Sequence, residues 1–396
     1  MPEPPQTVDT IVLGLGAMGS AALYHLARRG VGALGIDRFS PPHAFGSSHG
    51  DTRITRLAIG EGEHYTPLAL RSHELWRELE AETGDELLTA CGGLILSSGS
   101  ATSHTHVENF FDNTLAAARR FGIDHEVLDA AEIRRRFPPF RVSDAERGYY
   151  EPDAGFLRPE RCVAAHLRAA RRRGATLRCN ETATAFRASS GGVSLSTDRG
   201  VYSAANLIVA AGAWLPGLVG ADIAPHFSVY RQTLSWFEIE GDATPFEAGR
   251  CPIFIWELTG RPQSIYGFPA VDGARGGVKI ASERFDRRTD PDAVDRDVSP
   301  EEIAALHRDY VAPYVAGVGP RCLKSLSCLY TVTPDFGFVL DRHPGCDRVV
   351  LASPCSGHGF KHSPAIGEAL AATACGAAPR FDLSPFALSR FEAERA

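Results

Sequence analysis

The first forty residues contain three apolar segments with two different spacings. Residues 10–13 form a short β-branched run, residues 20–29 place apolar side chains at helical intervals, and residues 33–36 form a second apolar run. The turn Gly14-Leu15-Gly16-Ala17-Met18-Gly19 precedes the helical segment, and Asp37 follows the second run. Spacings of two and 3.6 residues are typical of strands and helices. The order strand, glycine turn, helix, strand and acidic residue predicts a βαβ unit.

The glycine turn and the acidic residue suit a dinucleotide. Gly14, Gly16 and Gly19 allow a tight turn and let backbone N–H groups at a helix N-terminus approach a pyrophosphate. Asp37 is placed to accept hydrogen bonds from the hydroxyl groups of a ribose. The alternative is a glycine turn that merely closes an ordinary βα unit. Because the motif lies in its full βαβ frame, we expect dinucleotide binding.

The rest of the chain combines helices with two kinds of strand. Helical spacing predicts helices at residues 68–83, 104–121, 160–173 and 363–375. Apolar runs predict buried strands at residues 175–179, 204–211 and 349–353. Between residues 227 and 283, β-rich runs alternate with Gly, Pro and Asp turns, which predicts antiparallel strands at 229–239, 253–256, 264–268 and 278–282. The C-terminal strand and helix follow a glycine loop and indicate a return to the nucleotide domain.

The predicted fold class is α/β (α+β), with two interleaved domains. A Rossmann-like dinucleotide-binding domain is expected to be discontinuous and to comprise residues 1–85, 145–222 and 322–396. A smaller substrate domain with an antiparallel sheet is expected to comprise residues 86–144 and 223–321. Length supports this division, since 396 residues suffice for more than one domain.

Composition excludes several other classes of protein. The net charge of −7 argues against a general nucleic-acid binder. The longest uncharged apolar run, residues 207–221, is short for a membrane span and is interrupted by Pro216. The first five residues lack the basic and apolar regions of a secretory signal, so the cytoplasm is the expected location. Nine cysteines without a C-x-x-C pair indicate neither a disulfide framework nor a metal site.

Four segments together resemble the family of monomeric sarcosine oxidases and N-methyltryptophan oxidases. One is the glycine turn that leads to Asp37, and a second is residues 46–53 with Arg56 and Gly60-Glu61-Gly62. The third is Cys328-Leu329-Tyr330-Thr331, and the fourth is Ser356-Gly357-His358-Gly359-Phe360-Lys361. The resemblance covers almost the whole chain.

The resemblance implies FAD in an extended pose, attached through its 8α-methyl group to the sulfur of Cys328. Without it, Cys328 would be interpreted as an inert buried thiol. The same resemblance implies cofactor contacts from Gly14, Gly16, Ala17, Met18, Gly19, Asp37, Ser47, Thr52, Arg53, Ala183, Gly212, Cys328, Gly357, His358, Gly359, Phe360 and Lys361. It also implies that His49 and Arg53 lie near the flavin.

The resemblance further implies a site for an amino acid. Arg56 and Lys361 correspond to the family's two cations for the substrate carboxylate, and Tyr266 and Tyr330 correspond to aromatic residues that line the cavity. Core tyrosines are the alternative for the last two. A guanidinium and an ammonium can both donate charge-assisted hydrogen bonds to one anion.

Lys279 corresponds to the family's oxygen-activating lysine. Of the 41 lysine and arginine residues only Lys279, Lys324 and Lys361 are lysine. Val278 and Ile280 share one face of a predicted strand, and Lys279 lies on the other face. A solvated strand face is the alternative explanation. We expect Lys279, Arg53, His49 and Tyr330 to be the catalytic residues.

The sequence departs from the family's pattern at several substrate positions. Glu283 replaces a histidine, Leu57 and Ile59 replace histidine and tyrosine, and His362 replaces an aromatic residue. We therefore expect Glu283 and Ile59 to line an altered substrate site that suits a substrate larger than sarcosine. The alternative for Glu283 is a solvent-exposed position at the sheet edge.

The implied activity is oxidation of the C–N bond of a secondary amino acid by a monomer. A hydride passes to flavin N5, the imine is hydrolysed, and O2 reoxidises the flavin and yields H2O2; the protein supplies orientation and electrostatics. Three alternatives stay open. They are an oxidase of a glycated, cyclic or biosynthetic amine, a flavin dehydrogenase with another electron acceptor, and a flavin-binding protein without turnover.

Overall fold

A computed structural model describes residues 7–103 and 106–391. Within these residues there are seven α-helices: α1 (Ala17–Arg28), α2 (Thr66–Thr83), α3 (Phe110–Phe121), α4 (Ala130–Arg136), α5 (Pro159–Arg172), α6 (Pro300–Leu306) and α7 (Ser363–Ala374). The same residues form nineteen strands: β1 (Thr7–Leu13), β2 (Ala33–Asp37), β3 (Arg53–Thr55), β4 (Leu88–Ala90), β5 (Gly93–Ser98), β6 (Glu126–Leu128), β7 (Glu146–Glu151), β8 (Gly155–Leu157), β9 (Thr176–Cys179), β10 (Ala183–Ser189), β11 (Gly192–Thr197), β12 (Val201–Val209), β13 (Ser228–Ile239), β14 (Ile253–Trp256), β15 (Ile265–Gly267), β16 (Val278–Ser282), β17 (Val318–Val332), β18 (Val339–His343) and β19 (Cys346–Ser353).

The first sheet has a parallel centre in the order β9-β2-β1-β12-β19. The antiparallel strands β18, β11 and β10 extend it. Ile11 and Leu13 pack into one apolar cluster, whereas Val12 between them packs into another. Both faces of the central strands are therefore covered, which explains their continuous apolar runs. Helix α1 packs between α5 and α7 on one of these faces.

The predicted helices of this region are confirmed with small shifts at their ends. Helices α1, α2, α5 and α7 each begin and end within three residues of the predicted bounds. The fifth predicted helix, at residues 104–121, is shorter than expected. Its observed counterpart α3 begins at Phe110, after Asn109 in the left-handed conformation. Residues 104 and 105 of that prediction lie outside the described residues.

The second sheet has the order β17-β13-β16-β15-β14-β5-β7-β6. The prediction of an antiparallel sheet is confirmed for the run of four strands from β13 to β16, but β14 and β5 pair in parallel. Strand β7 and most of β17 belong to this sheet, although they fall in segments 145–222 and 322–396 that the sequence assigned to the first domain. The division into domains stays a prediction. None of the helices in the described residues has the length and apolar character needed to cross a bilayer.

A small third sheet, β3-β8-β4, connects the two larger ones and carries Arg53. At Gly155 in β8, a Cβ atom would lie 2.0 Å from the carbonyl oxygen of Thr89. Only glycine fits that approach, which brings β4 close to β8, and β3 pairs with β8 through Thr55 opposite Gly155 and Arg53 opposite Leu157. Arg53 is thereby held on a short strand with defined neighbours.

Candidate active site

The glycine turn between β1 and α1 brings backbone to the edge of a long groove. Gly14 has φ +84°, and a Cβ there would lie 2.5 Å from the carbonyl oxygen of Ala210. At Gly19 a Cβ would lie 1.7 Å from the Gly14 oxygen. Both positions therefore require glycine. Gly16 has no side chain that could cap α1, and Ser48 Oγ accepts a hydrogen bond from Ala17 N at 3.1 Å. Gly16, Ala17 and Ser48 all line the groove, so the positive end of the helix faces it.

The groove has a volume of about 460 Å³. Its lining includes Asp37 and Trp214 as well as Tyr330 and Gly357. The Asp37 carboxylate accepts hydrogen bonds from Leu15 N at 2.7 Å and Phe39 N at 2.8 Å, which fix its orientation at the end of β2. A helix N-terminus beside a groove of this size and an oriented carboxylate in its lining suit FAD.

Most residues expected to contact FAD line this groove. They are Gly14, Gly16, Ala17, Met18, Asp37, Ser47, Arg53, Ala183, Gly212, Gly357, Gly359 and Phe360. Five expected residues do not line it, each for a structural reason. Gly19 packs inside the turn, Thr52 accepts a hydrogen bond from Lys279, Cys328 is buried beside Arg53, and His358 and Lys361 line a second cavity.

The second cavity is smaller, about 70 Å³, and meets the groove. Four residues line both spaces: Arg53, Tyr330, Gly357 and Phe360. The remaining lining residues are Ile54, Arg56, Glu61, His106, Ile255, Ser264, Tyr266, Phe268, Glu283, His358 and Lys361. The structure therefore brings Arg56, Lys361, Tyr266 and Glu283 together, as expected, around one cavity at the end of the groove.

Charged side chains form a continuous series along this cavity. Arg56 Nη2 lies 2.5 Å from Glu61 Oε2, Glu61 Oε1 lies 3.8 Å from His106 Nδ1, and His106 Nε2 lies 2.9 Å from Glu283 Oε2. Burial opposes charge on His106, but Glu283 and Glu61 outweigh it and raise the pKa of His106 to about 9. Burial also opposes charge on Glu61, yet Arg56 and Lys361 hold its pKa well below the ordinary range.

Lys361 lies among these groups without a carboxylate of its own. Its Nζ donates a hydrogen bond to the carbonyl oxygen of His358 at 2.7 Å. Among the described residues, no carboxylate oxygen lies within 4 Å of Lys361 Nζ. Burial lowers the pKa of Lys361 to about 7, with Glu61 partly opposing the shift. An anion in the cavity would supply the partner that Lys361 lacks.

Lys279 is buried beneath the loop that precedes β3. Its Nζ donates to Gly50 O at 2.8 Å, Thr52 O at 3.0 Å and Thr52 Oγ1 at 3.2 Å, and it lies 4.7 Å from the Phe268 ring centre. Burial and the Arg53 charge lower the pKa of Lys279, whereas three acceptors suit the three N–H groups of an ammonium. The side chain is only 2% exposed, so a solvated strand face is wrong.

Arg53 connects this loop with the thiol of Cys328. Its Nη1 donates to Thr52 O at 2.8 Å, and its Nη2 donates to Ser47 O at 2.7 Å and lies 3.5 Å from Cys328 Sγ. Burial raises the pKa of Cys328, and Arg53 partly opposes this effect. A second thiol, Cys355, lines the groove directly. The structure thus offers two cysteines near the junction of the two spaces.

His49 lies near Arg53 but not in either space. Both of its ring nitrogens are buried without a hydrogen-bond partner among the described residues. Burial and the charges of Arg53 and Lys279 lower the pKa of His49 to about 3. The imidazole is therefore neutral at ordinary pH.

Of the two altered substrate positions, Ile59 departs from the expectation and Glu283 agrees with it. Ile59 does not line the cavity, because its side chain is fully buried in the core formed by Tyr65, Leu68 and the helices. Glu283 is only 10% exposed and pairs with His106, so a solvent-exposed position at the sheet edge is wrong. It lies just beyond β16 rather than within it.

Sequence reasoning missed His106 and gave no role to Glu61. Glu61 lies within the quoted Gly60-Glu61-Gly62, so its acidic side chain between two glycines was the available signal. His106 had none, because its contact with Glu283 joins residues 177 positions apart in the chain.

Comparison with known proteins places the chain in a family. A family described as FAD dependent oxidoreductase matches residues 9–373. The groove and the βαβ unit are accordingly those of an FAD-dependent oxidoreductase, and the expectation of FAD is confirmed.

Relatives narrow this assignment. Monomeric sarcosine oxidase from Streptomyces avermitilis is 42% identical over 366 residues, covering 92% of this chain and 93% of that protein. N-methyl-L-tryptophan oxidase from Yersinia pestis is 36% identical over 396 residues, covering 97% and 99%. The chain therefore belongs to the family of monomeric sarcosine oxidase and N-methyl-L-tryptophan oxidase.

Two solved structures of other oxidases are similar to this fold. The open form of NikD, an amino acid oxidase of nikkomycin biosynthesis, has a TM-score of 0.82 at 25% identity and covers 96% of this chain and 97% of its own. Glycine oxidase from Geobacillus kaustophilus has a TM-score of 0.76 at 22% identity and covers 97% and 99%. The predicted α/β fold with a Rossmann-like domain is confirmed.

Proposed function

We propose that this protein is an FAD-dependent oxidase of secondary amino acids that acts as a monomer. The observation that carries the proposal is the common wall of the groove and the smaller cavity, formed by Arg53, Tyr330, Gly357 and Phe360. A substrate in the cavity would face the end of a cofactor in the groove. The names of the relatives, sarcosine oxidase and N-methyl-L-tryptophan oxidase, support a substrate with an N-methylated amino group.

The lining residues divide the groove into parts with different roles. Asp37 would hold the ribose, and the N-terminus of α1 at Gly16 and Ala17 would hold the pyrophosphate. Arg53 and Gly357 would adjoin the flavin ring where the groove meets the cavity. FAD, when bound, supplies the acceptor for the hydrogen and electron pair that leave the carbon next to nitrogen. The protein orients the amino acid and excludes water.

The substrate carboxylate would bind between Arg56 and Lys361. Lys361 supports this role because it is a buried cation without a carboxylate partner among the described residues. Tyr266 and Tyr330 would cover the apolar part of the substrate. The cavity volume of about 70 Å³ favours a small amino acid over glycated or other bulky amines, and so it argues against the expected substrate larger than sarcosine.

Lys279 would serve the reaction with O2 rather than amine oxidation. It does not line the substrate cavity, and its ammonium lies beneath the loop that carries Thr52 and Arg53. A fixed positive charge stabilises the negative charge that develops as O2 is reduced to H2O2. Arg53 and the neutral His49 would complete the polar surroundings of the flavin.

We also propose that the flavin is attached through its 8α-methyl group to Cys328. Linkage removes the thiol hydrogen and one methyl hydrogen, and the electron pair passes to O2 to give H2O2. The neighbouring Arg53 Nη2, 3.5 Å from the sulfur, favours the reactive thiolate. Acid precipitation should leave a yellow pellet, and Cys328→Ala should release the colour.

Cys355→Ala is the matched control, because Cys355 lines the groove itself. It should keep the yellow pellet. A colourless pellet from fully loaded wild-type protein, or loss of the linkage only in Cys355→Ala, would contradict attachment at Cys328.

A peroxide assay over three substrate classes tests the activity. We expect H2O2 with N-methyl amino acids, and much less with glycated amino acids. Cyclic imino acids, which are intermediate in size, show how large a substrate the cavity accepts. Flavin reduction by these amines without H2O2 would instead support a dehydrogenase, and no flavin reduction by any of them would overturn the proposed function.

A further inference from the structure

Two ionisable side chains, those of His106 and Glu283, lie close to Gly357 in the wall between the groove and the cavity. This residue has φ +86°, and a Cβ there would lie 2.7 Å from His106 Nε2, 2.9 Å from Tyr330 Cε2 and 3.1 Å from Glu283 Oε1. Gly357 lines both spaces. Glu283 Oε1 therefore lies at the junction, where the reacting part of a substrate would be.

The two oxygens of Glu283 have different surroundings. Oε2 is buried and lies 2.9 Å from His106 Nε2, but the angles of this contact are not those of a hydrogen bond. Oε1 accepts no hydrogen bond from the described residues and lies 3.1 Å from the position that a Cβ would take at Gly357. A carboxylate on a side chain that is only 10% exposed is costly unless a donor or cation meets it. A ligand is the group that can supply this partner.

The cavity also has a cationic part and an anionic part. Arg56 and Lys361 form the cationic part, while Glu283 lies three contacts away from Arg56, through Glu61 and His106. A small α-amino acid zwitterion has its carboxylate and its ammonium on the same carbon atom. It can therefore meet both parts at once, which a simple carboxylate cannot.

We propose that Glu283 binds the positively charged nitrogen of the substrate, so that the amino acid enters as a zwitterion. One N–H proton then passes to the Glu283 carboxylate, and the nitrogen regains the lone pair that oxidation requires. This inference rests on the proposed function and assigns Glu283 as a further specificity-determining residue of the same site. Glu283 selects amino acids against carboxylates of equal size without a cationic nitrogen.

Two ligands of the same shape separate charge from size. Betaine and 3,3-dimethylbutanoate differ only in a quaternary nitrogen that replaces a quaternary carbon. Neither has a nitrogen lone pair, so neither is oxidised, and the charge of betaine does not change with pH. Calorimetric titration of the holoenzyme gives the dissociation constant of each ligand without turnover.

Wild-type protein should bind betaine roughly 10- to 100-fold more tightly than its carbon analogue, the value of one charge-assisted contact. Glu283→Gln should remove this preference and leave the affinity for 3,3-dimethylbutanoate within about threefold. Glu74→Gln is the matched control, because it makes the same charge change on the surface of α2. It should retain the preference.

Equal affinities in the wild type, absence of betaine binding, or a preference that persists in Glu283→Gln would overturn the inference. Sarcosine oxidation is measured separately on the same preparations. If the wild type oxidises sarcosine but does not prefer betaine, only the inference fails. If no secondary amino acid reduces the flavin, the proposed function fails, whichever ligand binds.

Discussion

Arg56 is the partner of Glu61, and we expect a second, separable role for it as an anchor for the substrate carboxylate. The two side chains lie 2.5 Å apart and are 3% and 4% exposed. In Arg56→Met, Glu61 would keep only histidine contacts at 3.8 Å. Removing one partner of a buried ion pair costs about 3–5 kcal/mol. We expect the free energy of unfolding to fall by about that amount.

The double variant Arg56→Met/Glu61→Gln separates the two roles. It removes both charges of the Arg56–Glu61 pair, so it should regain most of the stability lost when only one of them is removed. It should not regain the affinity for a carboxylate, because about 1.5–3 kcal/mol of charged hydrogen bonding, a factor of roughly 10 to 100, is absent. Urea denaturation measures the first quantity, and calorimetric titration with 3,3-dimethylbutanoate measures the second.

The stability of the wild type and of these variants should also depend on pH. The folded-state pKa of Glu61 is depressed, so its stabilisation is present above the unfolded pKa of about 4.3. It is lost as the pH falls through the lower folded value. In Arg56→Met this loss should begin at higher pH. A double variant as unstable as Arg56→Met would refute the stability argument, and one with wild-type carboxylate affinity would refute the anchoring role.

Three further predictions concern other residues of the site. Because burial lowers the pKa of Lys361 to about 7, the affinity for 3,3-dimethylbutanoate should decrease as the pH rises above 7, and titrations of Lys361→Met should lack this decrease; a parallel decrease in both would contradict the role of Lys361. Lys279→Met should reduce its flavin with substrate under anaerobic conditions nearly as fast as the wild type, whereas stopped-flow reoxidation should slow about a thousandfold, the value of a charge at ~4 Å with an effective dielectric constant near 20; equal loss in both half-reactions would refute this. Gly357→Ala places a methyl group against His106, Tyr330 and Glu283, so it should abolish substrate-dependent flavin reduction while FAD remains bound, and an activity near that of the wild type would contradict the close approach at the junction.

The sequence predicts those parts of the fold that are local. The βαβ unit, helix α2 and strands β14 and β16 follow from spacing within a few residues, because their buried faces repeat regularly. Strand β17 was not predicted. Its first half contains glycine, proline and lysine and is stabilised by pairing with β13, from Val332 opposite Ser228 to Val318 opposite Ile239. Long-range pairing outweighs local propensity there.

The same distinction between local and long-range features applies to the candidate site. Arg56, Lys361 and Lys279 could be proposed because they lie in recognisable motifs. The proximity of His106 to Glu283 could not, because it depends on how two distant loops meet at Gly357. Ile59 shows that a nearby motif can also mislead. It lies only two residues from Glu61, which lines the cavity, yet its own side chain packs in the core.

The most direct test of the central claim is anaerobic titration of the purified protein with sarcosine or another N-methyl amino acid. We predict that one equivalent of substrate bleaches the yellow flavin absorbance. Admission of O2 should then restore it and release one equivalent of H2O2. A flavin that stays oxidised with every secondary amino acid tried, or one that is bleached but not restored by O2, would contradict an oxidase of secondary amino acids.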